Sequence, residues 1–186
     1  MTETFETLLC THSAPVLAGL RPSGTVTCHR EKLPFLEQDL AECRRLLLEH
    51  GLRCRVLCQC ERHLVLMIYD PVWLEACLIG RRARKMLRQL GYPKDALVEE
   101  LLEELGHRMA RQGFPHEIGL FLGYPARDVE EFIRRGGLGS ICTGYWKVYR
   151  HPGEARRCFA RYDACREDFL ARQSQGQSLR QILRAG

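Results

Sequence analysis

Apolar positions in the first half of the chain change period twice. Leu36, Leu40, Cys43, Leu46 and Leu47 recur at helical spacing. Gly51 follows as the usual stop after a helix. The period then falls to two. Over Arg53 to Cys60, the positions Cys54, Val56, Cys58 and Cys60 alternate with Arg53, Arg55, Leu57 and Gln59, which predicts a strand with a cysteine-rich face. His63 to Tyr69 is a continuous apolar strand, and Glu61-Arg62 is the tight connection between the two. Upstream, a short helix is expected within residues 4–20, a turn at Gly19 to Gly24, and a β-prone segment at Thr25 to Cys28.

The second half reads mainly as helices. Asp70 is an N-cap and Pro71 a first-turn residue, which predicts one long helix to Leu90, stopped by Gly91-Tyr92-Pro93. Asp95 is expected to cap the next helix, whose stripe is Val98, Leu101, Leu102, Leu105 and Met109. Two short helices, His116 to Leu122 and Ala126 to Arg135, meet at Gly123-Tyr124-Pro125. Gly144 to Tyr149 is strand-like, and Pro152 opens a last long helix. The sum is an α+β fold: a small, mainly antiparallel sheet from 25–28, 53–60, 63–69 and 144–149, covered by several helices, with a helical hairpin near 116–135. A βα alternation with a parallel pair is the alternative. One domain is expected over 1–174, followed by a polar tail at 175–186 that holds a candidate short helix near Leu179 to Leu183.

Composition fits this picture. The chain has 186 residues, 45% hydrophobic and 27% charged, which is globular and not disordered. No apolar run approaches the ~20 residues that span a bilayer. Met1-Thr-Glu-Thr-Phe-Glu lacks the basic start of a secretory signal, so a cytoplasmic protein with no membrane partner is expected. The net charge is +5, with Arg81, Arg82, Arg84, Lys85 and Arg88 on one helix. Glu99, Glu100, Glu103 and Glu104 on the next balance them, which weighs against a nucleic-acid footprint.

Ten cysteines in a reducing compartment imply free thiols, metal ligands or catalytic groups. Cys54, Cys58 and Cys60 share a strand face with Val56 rather than forming pairs on turns, so they read as small core hydrophobes and no metal is expected. Cys43, Cys77, Cys158 and Cys165 fall on apolar stripes. Cys142 differs. It follows a glycine-rich turn and precedes Thr143-Gly144. A nucleophilic thiol needs a base, and His116 is the upstream candidate. Glu117 beside it suits a helix dipole, and no second histidine completes a His-Glu-x-x-His motif.

The densest stretch runs from Phe114 to Tyr149. Gly119, Gly123 and Val129 have the spacing of a helix-turn-helix, but Glu130 and Glu131 stand beside Arg127 and Arg134 on the would-be recognition helix, where carboxylates repel DNA. Alternation over 144–149 places Tyr145, Lys147 and Tyr149 on one face, able to stack a planar ligand and meet an acidic group, with Trp146 on the other. The candidate site is therefore Cys142 and His116 as a catalytic pair, with Glu117, Tyr124, Tyr145, Trp146, Lys147 and Tyr149 as ligand-binding residues. One function is a small-molecule or cofactor-handling protein with a thiol-containing site. The alternative is a non-catalytic regulatory or nucleic-acid-binding module using 116–135, with a protein partner. No particular cofactor is indicated.

Pro115-His-Glu-Ile-Gly-Leu-Phe-Leu-Gly-Tyr-Pro125 with Asp128-Val129 and Phe132-Ile133, then Cys142-Thr-Gly-Tyr-Trp-Lys-Val-Tyr149, resembles the bacterial family catalogued as domain of unknown function 3793. Ser13 to Pro22, Leu64 to Pro71 and Gly91-Tyr-Pro93 extend the resemblance over nearly the whole chain. The chain departs at Thr143, where serine is expected, and at Asp70, where arginine is expected. The resemblance implies a single full-length domain and marks the two late motifs as the site. It carries no reaction.

Overall fold

In the computed structural model, which describes residues 1–184, the chain forms two compact units. One comprises Met1–Pro71 and the chain from Tyr162 onward, and the other Val72–Arg161.

The first unit begins with α1 (Glu3–Leu17), whose N-cap Thr2 accepts the Phe5 N–H through its hydroxyl at 3.4 Å. Thr2 is itself held by Asp39, which accepts its N–H at 2.6 Å and its hydroxyl at 2.7 Å. Asp39 is only 2% exposed and lies in the first turn of α2 (Leu36–Glu49). Between the two helices runs β1 (Ser23–His29), and after α2 come β2 (Arg53–Gln59) and β3 (His63–Tyr69). The sheet order is β1-β3-β2, antiparallel throughout. Val26 opposes Leu66, Cys28 opposes Leu64, Cys54 opposes Ile68 and Val56 opposes Leu66. One sheet face thus joins Phe5, Leu9, Leu40 and Leu47 in a single core. Each fully buried Leu or Phe there contributes about 1.5–3 kcal/mol.

The cysteine face expected on β2 is interrupted. A bulge at Leu57 shifts the register, so Cys58 opposes Val65 instead of continuing the series opposite Leu64, Leu66 and Ile68. Paired residues share a face, so Cys54 and Val56 turn to the core while Cys58 turns to the other side. Cys60, at the hairpin, is exposed. A single extra residue inverts the alternation, and the sequence alone did not signal it.

α8 (Pro152–Ser174) re-enters the first unit at Tyr162, and α9 (Leu179–Arg184) closes it. Leu179 and Ile182 are buried in the same core as Phe5 and Leu9. Glu6 accepts the Leu179 N–H at 2.8 Å. α9 lies at the candidate helix of the 175–186 tail, whose residues 185–186 lie outside the described residues.

In the second unit the long helix expected over 71–90 is two helices, α3 (Pro71–Ile79) and α4 (Arg81–Gln89). Gly80 between them takes an extended ψ of 134°, and its carbonyl starts α4 by accepting the Arg84 N–H at 2.9 Å. α5 (Val98–Gln112) is not capped by Asp95. The Glu100 carboxylate accepts the Leu97 N–H at 2.7 Å, and Asp95 sits upstream at φ 56°, paired with Arg88 at 3.2 Å. α6 (Ile118–Phe121) and α7 (Ala126–Arg135) form the expected hairpin. The segment at 144–149 is not a fourth strand of the sheet. β4 (Cys142–Thr143) and β5 (Lys147–Val148) make their own antiparallel ribbon, turning where the Gly144 N–H meets the Trp146 carbonyl at 3.1 Å.

Asp39→Ala leaves two donors of Thr2 unpartnered where α1 meets α2. Urea denaturation of the full chain is expected to show a loss of about 1–3 kcal/mol.

Candidate functional site

The hairpin's glycines explain its shape. Gly123, at φ 72°, ends α6 in a Schellman turn: its N–H meets the Leu120 carbonyl at 3.1 Å, and the Tyr124 N–H meets that of Gly119 at 2.9 Å. A Cβ on Gly119 would lie 2.9 Å from Val129 and 3.1 Å from Tyr124. The Gly119, Gly123 and Val129 spacing that suggests a helix-turn-helix is here the close approach of α6 to α7. Glu130 of α7 pairs with Arg82 of α4, and Glu131 accepts from Arg134 and Arg135 at 2.6 Å.

Asp128, in the first turn of α7, is 4% exposed. Its Oδ2 accepts Trp146 Nε1–H at 2.9 Å and its Oδ1 accepts the Tyr149 N–H at 3.0 Å. One carboxylate therefore holds both ends of the ribbon segment carrying Trp146. The indole stacks on Tyr124 at 5.2 Å and meets Phe159 edge-on at 4.5 Å. Gly144 is required beside that ring, since an added Cβ would lie 2.4 Å from two Phe159 carbons.

Between hairpin and ribbon lies a cavity of about 340 Å³. Phe114, Tyr124, Phe132, Tyr145 and Trp146 supply aromatic walls, with Ile118, Val129 and Gly119 behind them. Its polar lining is His116, Asp128, Thr143 and Lys147. The His116 ring stands edge-on to Phe132 at 5.1 Å. Lys147 Nζ donates to the Gly137 carbonyl at 2.8 Å and lies 5.7 Å from the Phe132 ring centroid. Among the described residues no carboxylate lies within ion-pairing distance of it.

The structure brings His116, Tyr124, Tyr145, Trp146 and Lys147 together around this cavity. Three other candidates stand off it. Glu117 is 6% exposed and turns to Tyr92, whose hydroxyl donates to it at 3.2 Å, and to Arg108 at 3.5 Å. Tyr149 is buried, with the Arg135 guanidinium 5.4 Å from its ring centroid. Cys142 packs on Val148, Ala155 and Phe159, and no hydrogen bond joins it to His116. Alternation over 144–149 fails because residues 144–146 are a turn, which brings Tyr145, Trp146 and Lys147 to one lining.

Sequence reasoning missed Asp128, Phe114, Phe132 and the packing role of Gly119 and Gly144. Asp128 reads as an ordinary first-turn acid complementing the helix dipole. A buried carboxylate joining two motifs has no local signature.

A model of the family described as protein of unknown function DUF3793 matches residues 9–183. The chain belongs to the DUF3793 family. No curated protein and no solved structure matches it. In this DUF3793 protein Thr143, at the position where the resemblance leads to serine, lines the cavity. Among the described residues no three His, Cys, Asp or Glu side chains are grouped to hold a metal, and no helix is long and apolar enough to cross a membrane.

Two substitutions test this packing. Gly144→Ala drives a methyl into Phe159 and is expected to cost about 1–3 kcal/mol in urea denaturation. Gly153→Ala is the control: its Cβ meets only Arg157 at 3.7 Å within α8, so a gain of about 0.5–1 kcal/mol is expected.

Burial, then the charge of Glu117, raises the Tyr92 phenol far above its ordinary value, against the opposing effect of Arg108. An unfolded tyrosine ionises near pH ~10. The native state holds its proton longer, so this contribution is complete below ~10 and is lost as pH rises beyond it. The stability advantage of the wild type over Tyr92→Phe should hold up to pH ~9 and shrink as the pH rises past ~10 in paired denaturation curves.

Proposed function

We propose that this DUF3793 protein binds a planar, anionic small molecule in the cavity between hairpin and ribbon. The observation that carries the reading is an aromatic-walled cavity of about 340 Å³ with one lysine that has no carboxylate partner among the described residues. Ligand sites are concave and mostly apolar, with a few polar groups fixing orientation, and volumes start near ~300 Å³. A flat ring system would lie against Phe132, Tyr124 and Trp146. Its acidic substituent would meet Lys147, and His116 and Thr143 would hydrogen-bond at the rim.

The reading is one of binding, without a reaction. Cys142 takes no part in it, because its surroundings are apolar and His116 is not hydrogen-bonded to it. The hairpin serves as cavity wall in place of a DNA-reading element, since Arg134 and Arg135, the cations a phosphate would need, are engaged by Glu131 of the same helix. Ten free thiols support a reducing, cytoplasmic setting.

The chain has two tryptophans, so Trp73→Phe leaves Trp146 as the sole indole reporter. In that background, titration with planar aromatic carboxylates is expected to quench Trp146 saturably. Lys147→Met should weaken the best probe by about tenfold or more, the loss expected for a charge-assisted contact. Phe132→Ala should weaken it as well. Quenching by no probe at millimolar concentration, or affinity indifferent to both substitutions, would reject the reading. Binding of duplex DNA in its place would favour the regulatory alternative.

A further inference from the structure

α3 is apolar on nearly every side and poorly covered. Glu75 is its only charged residue, yet only Leu74 and Leu78 are buried. Val72 is 76% exposed and Ile79 53%, with Ala76 open between them. These three recur at helical spacing, so one open face of α3 is a continuous apolar stripe. A helix that is apolar all round is normally enclosed. Ile79 also lines a groove of about 140 Å³, together with Leu78, Val98 and Leu97, the last 65% exposed. Arg84 and Arg88 stand at its edge, 4.0 Å and 3.2 Å from Asp95.

We propose that this face is a self-association surface, on which α3 of a second copy of the chain lies antiparallel to the first. The occupant follows from shape and charge. Val72 is a knob at one end of the stripe, and the groove beside Ile79 and Leu97 is a hole at the other. A two-fold axis through the middle of α3 brings each knob to the other copy's hole, which is the reciprocal contact of an isologous interface. Ala76, near the centre, carries only a methyl group, so the two helices can approach closely.

Charges of both signs border the stripe. Glu75 is exposed on α3, and Arg81 and Lys85 are exposed one turn apart on α4. Among the described residues no ion pair engages any of the three. Antiparallel pairing carries Glu75 of one copy toward Arg81 of the other, and symmetry repeats the contact. An anionic membrane or a nucleic acid would call for cations alone, and Glu75 beside the stripe opposes both. The surface lies wholly within Val72–Arg161, and none of its residues lines the ligand cavity, so it stands or falls independently of the proposed ligand.

Sedimentation velocity of the full chain tests the proposal. A face built on one short helix is a small interface, so a monomer–dimer equilibrium with a Kd of about 10–100 μM is expected. Val72→Glu changes an exposed side chain and should leave the circular dichroism spectrum unchanged and the chain monomeric. Glu75→Arg and Arg81→Glu should each weaken the dimer by about tenfold, and the two together should restore it to near the wild-type Kd. A wild-type chain that stays monomeric up to ~1 mM would overturn the proposal. So would a dimer indifferent to Val72→Glu, or a double charge variant no better than the single ones. Sedimentation of the wild type, but not of Val72→Glu, with phosphatidylglycerol vesicles would assign the face to a lipid surface and overturn it as well.

Discussion

The Asp128 carboxylate ties the ribbon to the hairpin across the cavity. It is nearly fully buried, and both its oxygens are engaged by donors from the ribbon, one from a side chain and one from the backbone. No cation pairs with it among the described residues, so its burial is balanced by hydrogen bonds alone. Bonds from neutral donors to a buried charged acceptor contribute about 1.5–3 kcal/mol each. They also fix geometry. With Trp146 Nε1 and Tyr149 N–H on one rigid carboxylate, the indole plane has little freedom between Tyr124 and Phe159.

Two close approaches complete the arrangement. Gly119 lets Val129 and Tyr124 press onto α6, and Gly144 lets the Phe159 ring fit under the ribbon turn. Any side chain at either position would push a cavity wall outward. Glycine and carboxylate thus work on one object from different sides: the glycines set how near the walls come, and Asp128 sets their register. The lysine that faces the resulting space is steadied by the Gly137 carbonyl rather than neutralised by an acid, so its charge is available to a ligand.

The sequence made the helices and the strand pairing legible because period is a local property. α2 spans the residues that the apolar repeat marks, and β2 and β3 pair as a hairpin as their patterns imply. What failed was set by single residues acting on the backbone. Gly80 breaks a helix whose apolar repeat continues across it. The bulge at Leu57 reverses a strand face, and the turn at 144–146 converts an apparent alternation into three adjacent lining residues. At the site, the density of special residues located the cavity and five of its lining residues. Glu117 and Cys142 attracted notice for their chemistry, yet their side chains turn to Tyr92 and to an apolar cluster. Which way a side chain points depends on partners distant in sequence, and so does the role of Asp128.

The central claim is that the Asp128 carboxylate holds Trp146 in the cavity wall. Hydrogen exchange of the Trp146 indole N–H, followed by NMR on the ¹⁵N-tryptophan-labelled full chain, reads that bond directly. The account predicts slow exchange in the wild type and exchange faster by about tenfold or more in Asp128→Asn, where one acceptor becomes a donor facing a donor. Equal exchange in the two proteins, with both folded, would contradict it.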